Sequence, residues 1–114
     1  MSQFTISERH TGDVVILDLV GDVIFGESNT KLRGEIRRQL KDGNHKLSLN
    51  LSEVQYLDSS GIGELISALT AVNREEGGQL RILNPTERIM HLFAISKLTE
   101  IFDIDYETDR AIGS

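Results

Sequence analysis

The sequence predicts an α/β fold: a single domain whose N-terminal β-hairpin leads into a mixed, mostly parallel sheet with helices packed on it. Two observations support this prediction. Two strand-like segments open the chain, and strand-like and helical patterns then alternate in the order ββαβαβα, followed by a late strand or helix. Such alternation is typical of α/β layers, in which right-handed crossovers place the helices over the sheet.

The length and the missing cysteines narrow the classes of protein. The chain has 114 residues, which suffice for one domain with its own core, and we expect that domain to cover residues 1–114. It contains no Cys, which excludes disulfides, thiolate zinc sites and cysteine nucleophiles. We predict no metal and no other cofactor.

The charge argues against nucleic-acid binding. Twelve Lys and Arg stand against eighteen Asp and Glu, a net charge of −6, whereas nucleic-acid binders neutralise phosphates with basic side chains. An acidic protein suits partners with basic surfaces, but the same acidity is ordinary for a small domain in solution.

The sequence shows no sign of export or membrane insertion. No basic region followed by an apolar run opens the chain, and no apolar stretch approaches the ~18–20 residues that span a bilayer. We therefore expect a cytoplasmic protein without direct membrane insertion.

The first two predicted strands form a hairpin. Apolar and polar residues alternate from Phe4 towards His10, a turn follows over residues 11–13, and Val14–Val20 is nearly continuously apolar and β-branched. Gly21 ends the second strand. Residues 22–26 are then a loop of mixed character that contains Phe25.

The first helix is predicted from about Ser28, its N-cap, to Gly43, its C-cap. Leu32, Ile36 and Leu40 recur at four-residue spacing and form its buried face. The remaining faces are basic, which is typical of a solvated helix and less often indicates a binding patch. These basic residues are Lys31, Arg33, Arg37, Arg38 and Lys41.

The central part of the chain is a strand, a polar turn and a second helix. Leu47–Leu51 alternates as a strand, the turn covers Asp58–Gly63, and the helix is predicted to begin directly after it and to end at the glycine pair 77–78. Its apolar stripe consists of Ile62, Leu65, Ile66, Leu69 and Val72.

The last third repeats the strand–helix alternation. Gln79–Leu83 is a strand, Asn84-Pro85 starts a third helix, and residues 101–104 suggest a last short strand. Ile89, Leu92 and Phe93 form the buried stripe of that helix. From Glu107 onward we expect a short helix or a frayed tail.

The patterns of known enzymes are missing from the sequence. Residues 58–61 do not match the Gly-x-Ser-x-Gly elbow of a hydrolase, and nothing predicts that His10, His45 or His91 lies near those serines. Gly61-Ile62-Gly63 lacks the third glycine of a dinucleotide fingerprint, and no phosphate-binding loop with Gly-Lys occurs. We therefore predict that the chain is not an enzyme.

The turn at Asp58, Ser59 and Ser60 is the strongest functional candidate. It lies between a strand and a helix, where α/β folds place their sites, and a helix N-terminus favours negative charge. Two interpretations remain open from the residues alone. One of the three side chains is simply the helix N-cap, or a serine accepts a phosphoryl group.

A family resemblance adds to this interpretation. The motif Asp58-Ser59-Ser60-Gly61-Ile62-Gly63, with Leu49–Val54 and Leu57 before it, resembles the signature of the STAS domain, above all in single-domain bacterial anti-sigma factor antagonists. The resemblance covers nearly the whole chain, including the hairpin, Gly21, the first helix and the strand over residues 80–83.

The resemblance implies partner switching. In that family the Ser after the Asp is phosphorylated by an anti-sigma factor that is itself a serine kinase, so the acceptor here is Ser59. The unphosphorylated antagonist binds the anti-sigma factor and frees the sigma factor; phosphorylation releases it, and a cognate phosphatase resets it. The expected partner-binding residues are Asp58, Ser60, Gly61, Ile62, Gly63, Asp22 and Phe25.

The chain departs from the family pattern at two positions. Ile24 stands where an acidic residue often follows the second strand, and Asn50 stands where the strand before the turn often carries Asp. The first departure concerns contact of that loop with the partner, and the second is interpreted as a local structural substitution.

Other uses of the same fold remain as alternatives. They are a scaffold or regulatory subunit in a signalling assembly, a component of a lipid or anion transporter, and a nucleotide binder. An acceptor serine after Asp58 favours the switch over a purely structural module.

Overall fold

The sheet has five strands in the order β1-β2-β3-β4-β5 in a computed structural model that describes residues 3–107. The first pair, β1 and β2, is antiparallel, and every later pair is parallel. This confirms the predicted α/β class with its N-terminal hairpin. The strands are β1 Thr5–Thr11, β2 Val14–Val20, β3 Lys46–Glu53, β4 Gln79–Leu83 and β5 Asp103–Asp105.

The helices connect neighbouring parallel strands. Helix α1 (Glu27–Lys41) joins β2 to β3, α2 (Ser59–Asn73) joins β3 to β4, and α3 (Glu87–Ile95) precedes a 3-10 turn at Leu98–Glu100 and β5. Because parallel strands require such crossovers, the carboxyl ends of β2 and β3 lie at the same edge of the sheet.

One hydrophobic cluster joins the sheet to all three helices. Alternate side chains of the central strands point into it, as the period of two requires, and the inward stripes of the helices cover them. Its members include Val15, Leu17 and Leu19 of β2, Leu47, Leu49 and Leu51 of β3, Leu32 and Ile36 of α1, Leu65 and Ala68 of α2, and Ile89 and Phe93 of α3.

The ends of α1 differ in detail from the prediction. Ser28 is not the N-cap: Gly26 is, and the Ser28 hydroxyl instead bonds both the N–H and the carbonyl oxygen of Ile24, each at 2.9 Å. Gly43 lies one residue beyond the C-cap Asp42, with φ +89°, a conformation that glycine adopts at least cost.

Helix α2 is displaced along the sequence from its predicted position. It begins at Ser59 rather than after Gly63, because Asp58 caps it and the glycines lie inside its first turns. It ends at Asn73, before the glycine pair, and Gly77 (φ +75°) belongs to the turn that follows.

The predicted stripe of α2 was wrong at one position. Ile66 is 38% exposed, whereas Glu64, which the pattern left outside the stripe, is buried. Leu65 and Val72 are buried as predicted. A hydrophobic pattern cannot foresee a buried carboxylate whose partner, Arg33, comes from another helix.

The C-terminal third agrees with the prediction except at boundaries. Helix α3 begins at Glu87, with the Thr86 hydroxyl accepting from the N–H of Ile89 at 3.2 Å, so Pro85 precedes the cap and does not start the helix. The late element is a strand, β5. The predicted short helix or frayed tail lies, apart from Glu107 itself, outside the described residues.

Candidate functional site

The candidate site lies at the carboxyl edge of β2 and β3, where two connecting segments run side by side. The N–H of Gly21 donates to the carbonyl oxygen of Glu53 at 3.0 Å, and the N–H of Val23 donates to that of Tyr56 at 3.1 Å. Val23 and Leu57 form an isolated parallel bridge. The loop after β2 therefore lies against the segment that leads into α2. The family resemblance had named partner-binding residues in both segments but not this contact between them.

Asp58 joins these two segments through its carboxylate. Oδ1 accepts from the N–H of Gly61 at 2.7 Å, which caps α2, and Oδ2 accepts from the N–H of Phe25 at 3.0 Å. These backbone donors, Phe25 first and then Gly61, hold the pKa of Asp58 below its usual range. Asp58 is therefore the N-cap of α2. Neither Ser59 nor Ser60 caps the helix.

Ser59 is the first residue of α2 and is exposed, and Ser60 beside it is half-buried. Within residues 3–107, neither serine side chain makes a hydrogen bond. The N-terminus of a helix carries a partial positive charge and unpaired N–H groups. The Ser59 hydroxyl is therefore accessible at a position where added negative charge is compatible with the helix.

The two glycines of the motif lie in different surroundings. A Cβ built on Gly61 would lie 2.0 Å from the carbonyl oxygen of Val23, so a side chain there is incompatible with the packing of α2 on the loop. A Cβ built on Gly63 meets nothing within 4 Å. Gly61 is thus a packing residue, and only Gly63 leaves open surface beside Ser59.

The loop after β2 presents an apolar surface next to this turn. Phe25 is 81% exposed, and Asp22 on the same loop is exposed too. Ile24 and Tyr56 add exposed apolar area, and of these two only Tyr56 was not singled out in the sequence. A shallow groove of about 630 Å³ runs beside the loop and is lined by Gln3, Phe4, Gly21, Asp22, Ile24, Phe25, Glu27 and Ser28.

Ile62, predicted both in the apolar stripe of α2 and among the partner-binding residues, lies where the stripe prediction placed it. It is half-buried and packs against the hydrophobic cluster, one turn away from Asp58. Its backbone N–H donates to the carbonyl oxygen of Asp58 at 2.9 Å. The structure thus brings together every residue of the expected site, with Gly61 and Ile62 on its inner side.

Asn50 has local structural partners. Its Nδ2 donates to Asp18 on β2 at 2.7 Å, and its Oδ1 accepts from the N–H of Ser52 at 3.1 Å and from Asn84 at 3.0 Å. An amide both donates and accepts, which a carboxylate at this position cannot do beside Asp18. These contacts support its interpretation as a local substitution.

The structure contains no sign of a membrane-spanning helix or of a metal cluster among the residues it describes. No described helix is long and apolar enough to cross a bilayer. No group of three or more His, Asp or Glu side chains in residues 3–107 is placed to hold a metal ion.

Comparison with known proteins identifies the family. The STAS domain model matches residues 5–111. An anti-sigma-B factor antagonist of Staphylococcus epidermidis is 35% identical over 69 residues, which are 60% of this chain and 63% of that protein. The anti-sigma-B factor antagonist of Bacillus subtilis is 33% identical over 66 residues, 58% of this chain and 60% of that protein. The chain thus matches less than two thirds of the length of these relatives.

Solved structures share the fold. The phosphorylated form of SpoIIAA, a Bacillus cell fate determinant, superposes with a TM-score of 0.70 at 21% identity and covers 97% of both chains. Its unphosphorylated form, described as an anti-sigma factor antagonist, gives a TM-score of 0.69 at 18% identity, with 97% and 96% of the two chains covered. The residues that the STAS domain model matches, 5–111, include the whole candidate site and all five strands. The chain therefore belongs to the STAS domain family.

Proposed function

We propose that this chain is an anti-sigma factor antagonist that is switched off by phosphorylation at Ser59. The observation that carries the proposal is the Ser59 hydroxyl, exposed at the first residue of α2 and free of side-chain hydrogen bonds within residues 3–107. Relatives named anti-sigma-B factor antagonists and a solved phosphorylated neighbour support it. The chain acts here as a kinase substrate and not as an enzyme.

The partner is an anti-sigma factor with serine kinase activity, and a phosphatase reverses the modification. Docking uses the surface around the turn: the N-cap Asp58, with Ser59, Ser60 and Gly63 in the first turns of α2, and Asp22 and Phe25 on the loop after β2. Phe25 is the natural anchor, because a large exposed aromatic side chain supplies much of the binding energy when a partner covers it. Gly61 and Ile62 contribute by shaping the turn from its inner side.

The switch is electrostatic. A phosphoserine at Ser59 adds about −1.5 to −2 charges at neutral pH, next to the Asp58 carboxylate, whose lowered pKa keeps it ionised. Glu64, also on α2, adds little repulsion because it is buried against Arg33, with Oε1 and Nη2 2.8 Å apart.

The fold tolerates the phosphate while the interface does not. A charge in water at a helix N-terminus is favoured by about 0.3–1 kcal/mol. A partner that covers the turn must instead desolvate the phosphate, and a loss of about 3 kcal/mol at an interface already weakens affinity more than a hundredfold. We expect phosphorylation to abolish most binding and to leave the melting temperature nearly unchanged.

The experiment combines phosphate mapping with binding. The chain is incubated with the cognate anti-sigma kinase and ATP, the phosphate is located by peptide mass spectrometry, and affinity for the kinase is measured by calorimetry beside thermal melting. We expect one phosphate, on Ser59, and a loss of affinity that Ser59→Asp imitates in part. Ser60→Ala is the matched control and should still be phosphorylated, whereas Ser59→Ala should not.

Three results would refute the proposal. They are modification of Ser60 alone, undiminished labelling of Ser59→Ala, and unchanged affinity of the phosphorylated chain. Loss of binding that accompanies unfolding would refute the electrostatic switch specifically.

A further inference from the structure

A second surface, separate from the Ser59 turn, lies between helices α1 and α2. A groove of about 420 Å³ runs between the two helices, further along α2 than Ser59. Its lining combines three arginines with apolar side chains. The residues that matter are Arg33, Arg37, Arg74, Glu64, Ile66 and Ala71.

One of the arginines is held in a fixed position. Nε and Nη2 of Arg33 donate to Glu64 Oε1 at 3.2 and 2.8 Å, and Glu64 is buried while the Arg33 side chain remains 48% exposed. The buried carboxylate therefore fixes the guanidinium by one edge. The other edge, with Nη1, makes no hydrogen bond to the described residues and is available to a ligand.

The other two arginines have no acidic partner among residues 3–107. Arg37 on α1 and Arg74 just after α2 form no ion pair there, whereas Arg9, Arg38 and Arg81 all do. Three arginines against one glutamate leave two net positive charges in this groove of a chain whose net charge is −6. The basic face of α1, which the sequence suggested is merely solvated, thus lies beside Arg74, the residue that follows α2.

The chemistry of the groove selects the class of ligand. Guanidinium groups bind carboxylates and phosphates in bidentate geometry. None of the groove's lining residues is aromatic, so it offers no platform on which a nucleotide base could stack. Its apolar lining residues, which include the 38% exposed Ile66, suit aliphatic side chains, and a groove between two helices suits an elongated segment.

We propose that the α1–α2 groove binds an acidic amphipathic segment of a partner protein. Aliphatic side chains of the segment lie on Ile66 and Ala71, and its carboxylates meet Arg33, Arg37 and Arg74. Because Ser59 does not line the groove, this contact is independent of the phosphorylation state of the turn.

The test uses a synthetic probe and the intact chain. The probe is a fluorescein-labelled peptide of about four helical turns, with Leu on one face and Glu on both flanks. Fluorescence anisotropy measures its affinity for the wild type and for the double variant Arg37→Glu/Arg74→Glu. We expect the double variant to bind at least about tenfold more weakly, and the wild-type affinity to fall as salt is raised.

Matched controls isolate the groove. Arg88→Glu/Lys97→Glu changes two exposed basic residues outside the groove by the same charge and should bind the probe as the wild type does. Ser59→Ala should also bind normally. Arg33 is left intact because its removal would strand the buried carboxylate of Glu64. Thermal melting checks that each variant is folded.

Three results would contradict binding of an acidic segment in the α1–α2 groove. The proposal is wrong if the wild type does not bind the probe, if the two double variants lose affinity equally, or if a peptide with Lys in place of Glu binds as well. Arginine-dependent binding of ATP without binding of the peptide would replace it with a nucleotide site.

Discussion

The first two turns of α2 have an inner and an outer side, and two glycines separated by one residue show how different these sides are. Gly61, on the inner side, is buried under the backbone of Val23, and Gly63, on the outer side, borders open solvent. The same residue type in one motif thus serves packing at one position and accessibility at the other. The motif thus both fixes the turn on the loop and leaves the face beside Ser59 uncovered.

Gly61→Ala tests the inner side and has the largest expected effect. Its Cβ would lie 2.0 Å from a backbone oxygen, so either α2 or the loop at Val23 must move. We expect a loss of about 3 kcal/mol or more in the free energy of unfolding, at the upper end of overpacking effects. Urea denaturation measures it, and a loss below about 1 kcal/mol would show that the packing is not as tight as the structure indicates.

Asp58→Asn tests whether the ionised carboxylate that joins α2 to the loop at Phe25 stabilises the fold, and the test uses the dependence of stability on pH. The pKa of Asp58 is lowered in the folded chain, so the ionised carboxylate stabilises the fold above the unfolded-state pKa of about 3.9, and this contribution is lost as pH falls through the lower folded-state pKa. Asn keeps an acceptor for Gly61 but cannot accept from Phe25 with its second group.

We therefore expect the wild type to melt at a higher temperature than Asp58→Asn near neutral pH, and the difference to shrink below about pH 4. Thermal melts at a series of pH values measure it. A difference that stays constant down to the acid limit would show that ionisation of Asp58 does not hold the loop.

Gly63→Ala tests the outer side and has the smallest expected effect. Nothing lies within 4 Å of its Cβ, and Ala is a better helix former than Gly, so the variant should be more stable by about 0.5 kcal/mol. It is the matched control for Gly61→Ala, since both make the same chemical change in one helix. Equal destabilisation of Gly61→Ala and Gly63→Ala would show that the inner and outer sides of α2 do not differ in packing.

The regular part of the fold was predictable because it follows from periodicity. The nearly continuous apolar run of β2, the alternation in β3 and the stripe of α3 at Ile89 and Phe93 are local patterns, and these elements form where the patterns lie. Predictions were less exact at boundaries. Ser28 and Pro85 resemble helix-start residues, but loop contacts and Thr86 decide where α1 and α3 begin.

The sequence predicted which segment carries the candidate site but not the contacts among its residues. Asp58 and Ser59 belong to a motif that can be recognised from the sequence alone. The bond from the N–H of Phe25 to Asp58 joins residues 33 positions apart. The burial of Glu64 likewise depends on Arg33, 31 positions away, so no local pattern reveals it.

The α/β class, the hairpin, the strand–helix alternation and the position of the serines between a strand and a helix depend on neighbours along the chain, and the sequence therefore sufficed to predict them. Three features became visible only in the folded chain: Asp58 caps α2 and holds Phe25, Gly61 packs while Gly63 stays open, and Arg74 after α2 shares one groove with the arginines of α1. These features are hydrogen bonds, close packing and a charge cluster, which depend on distances in space, and the folded sheet brings distant segments within those distances.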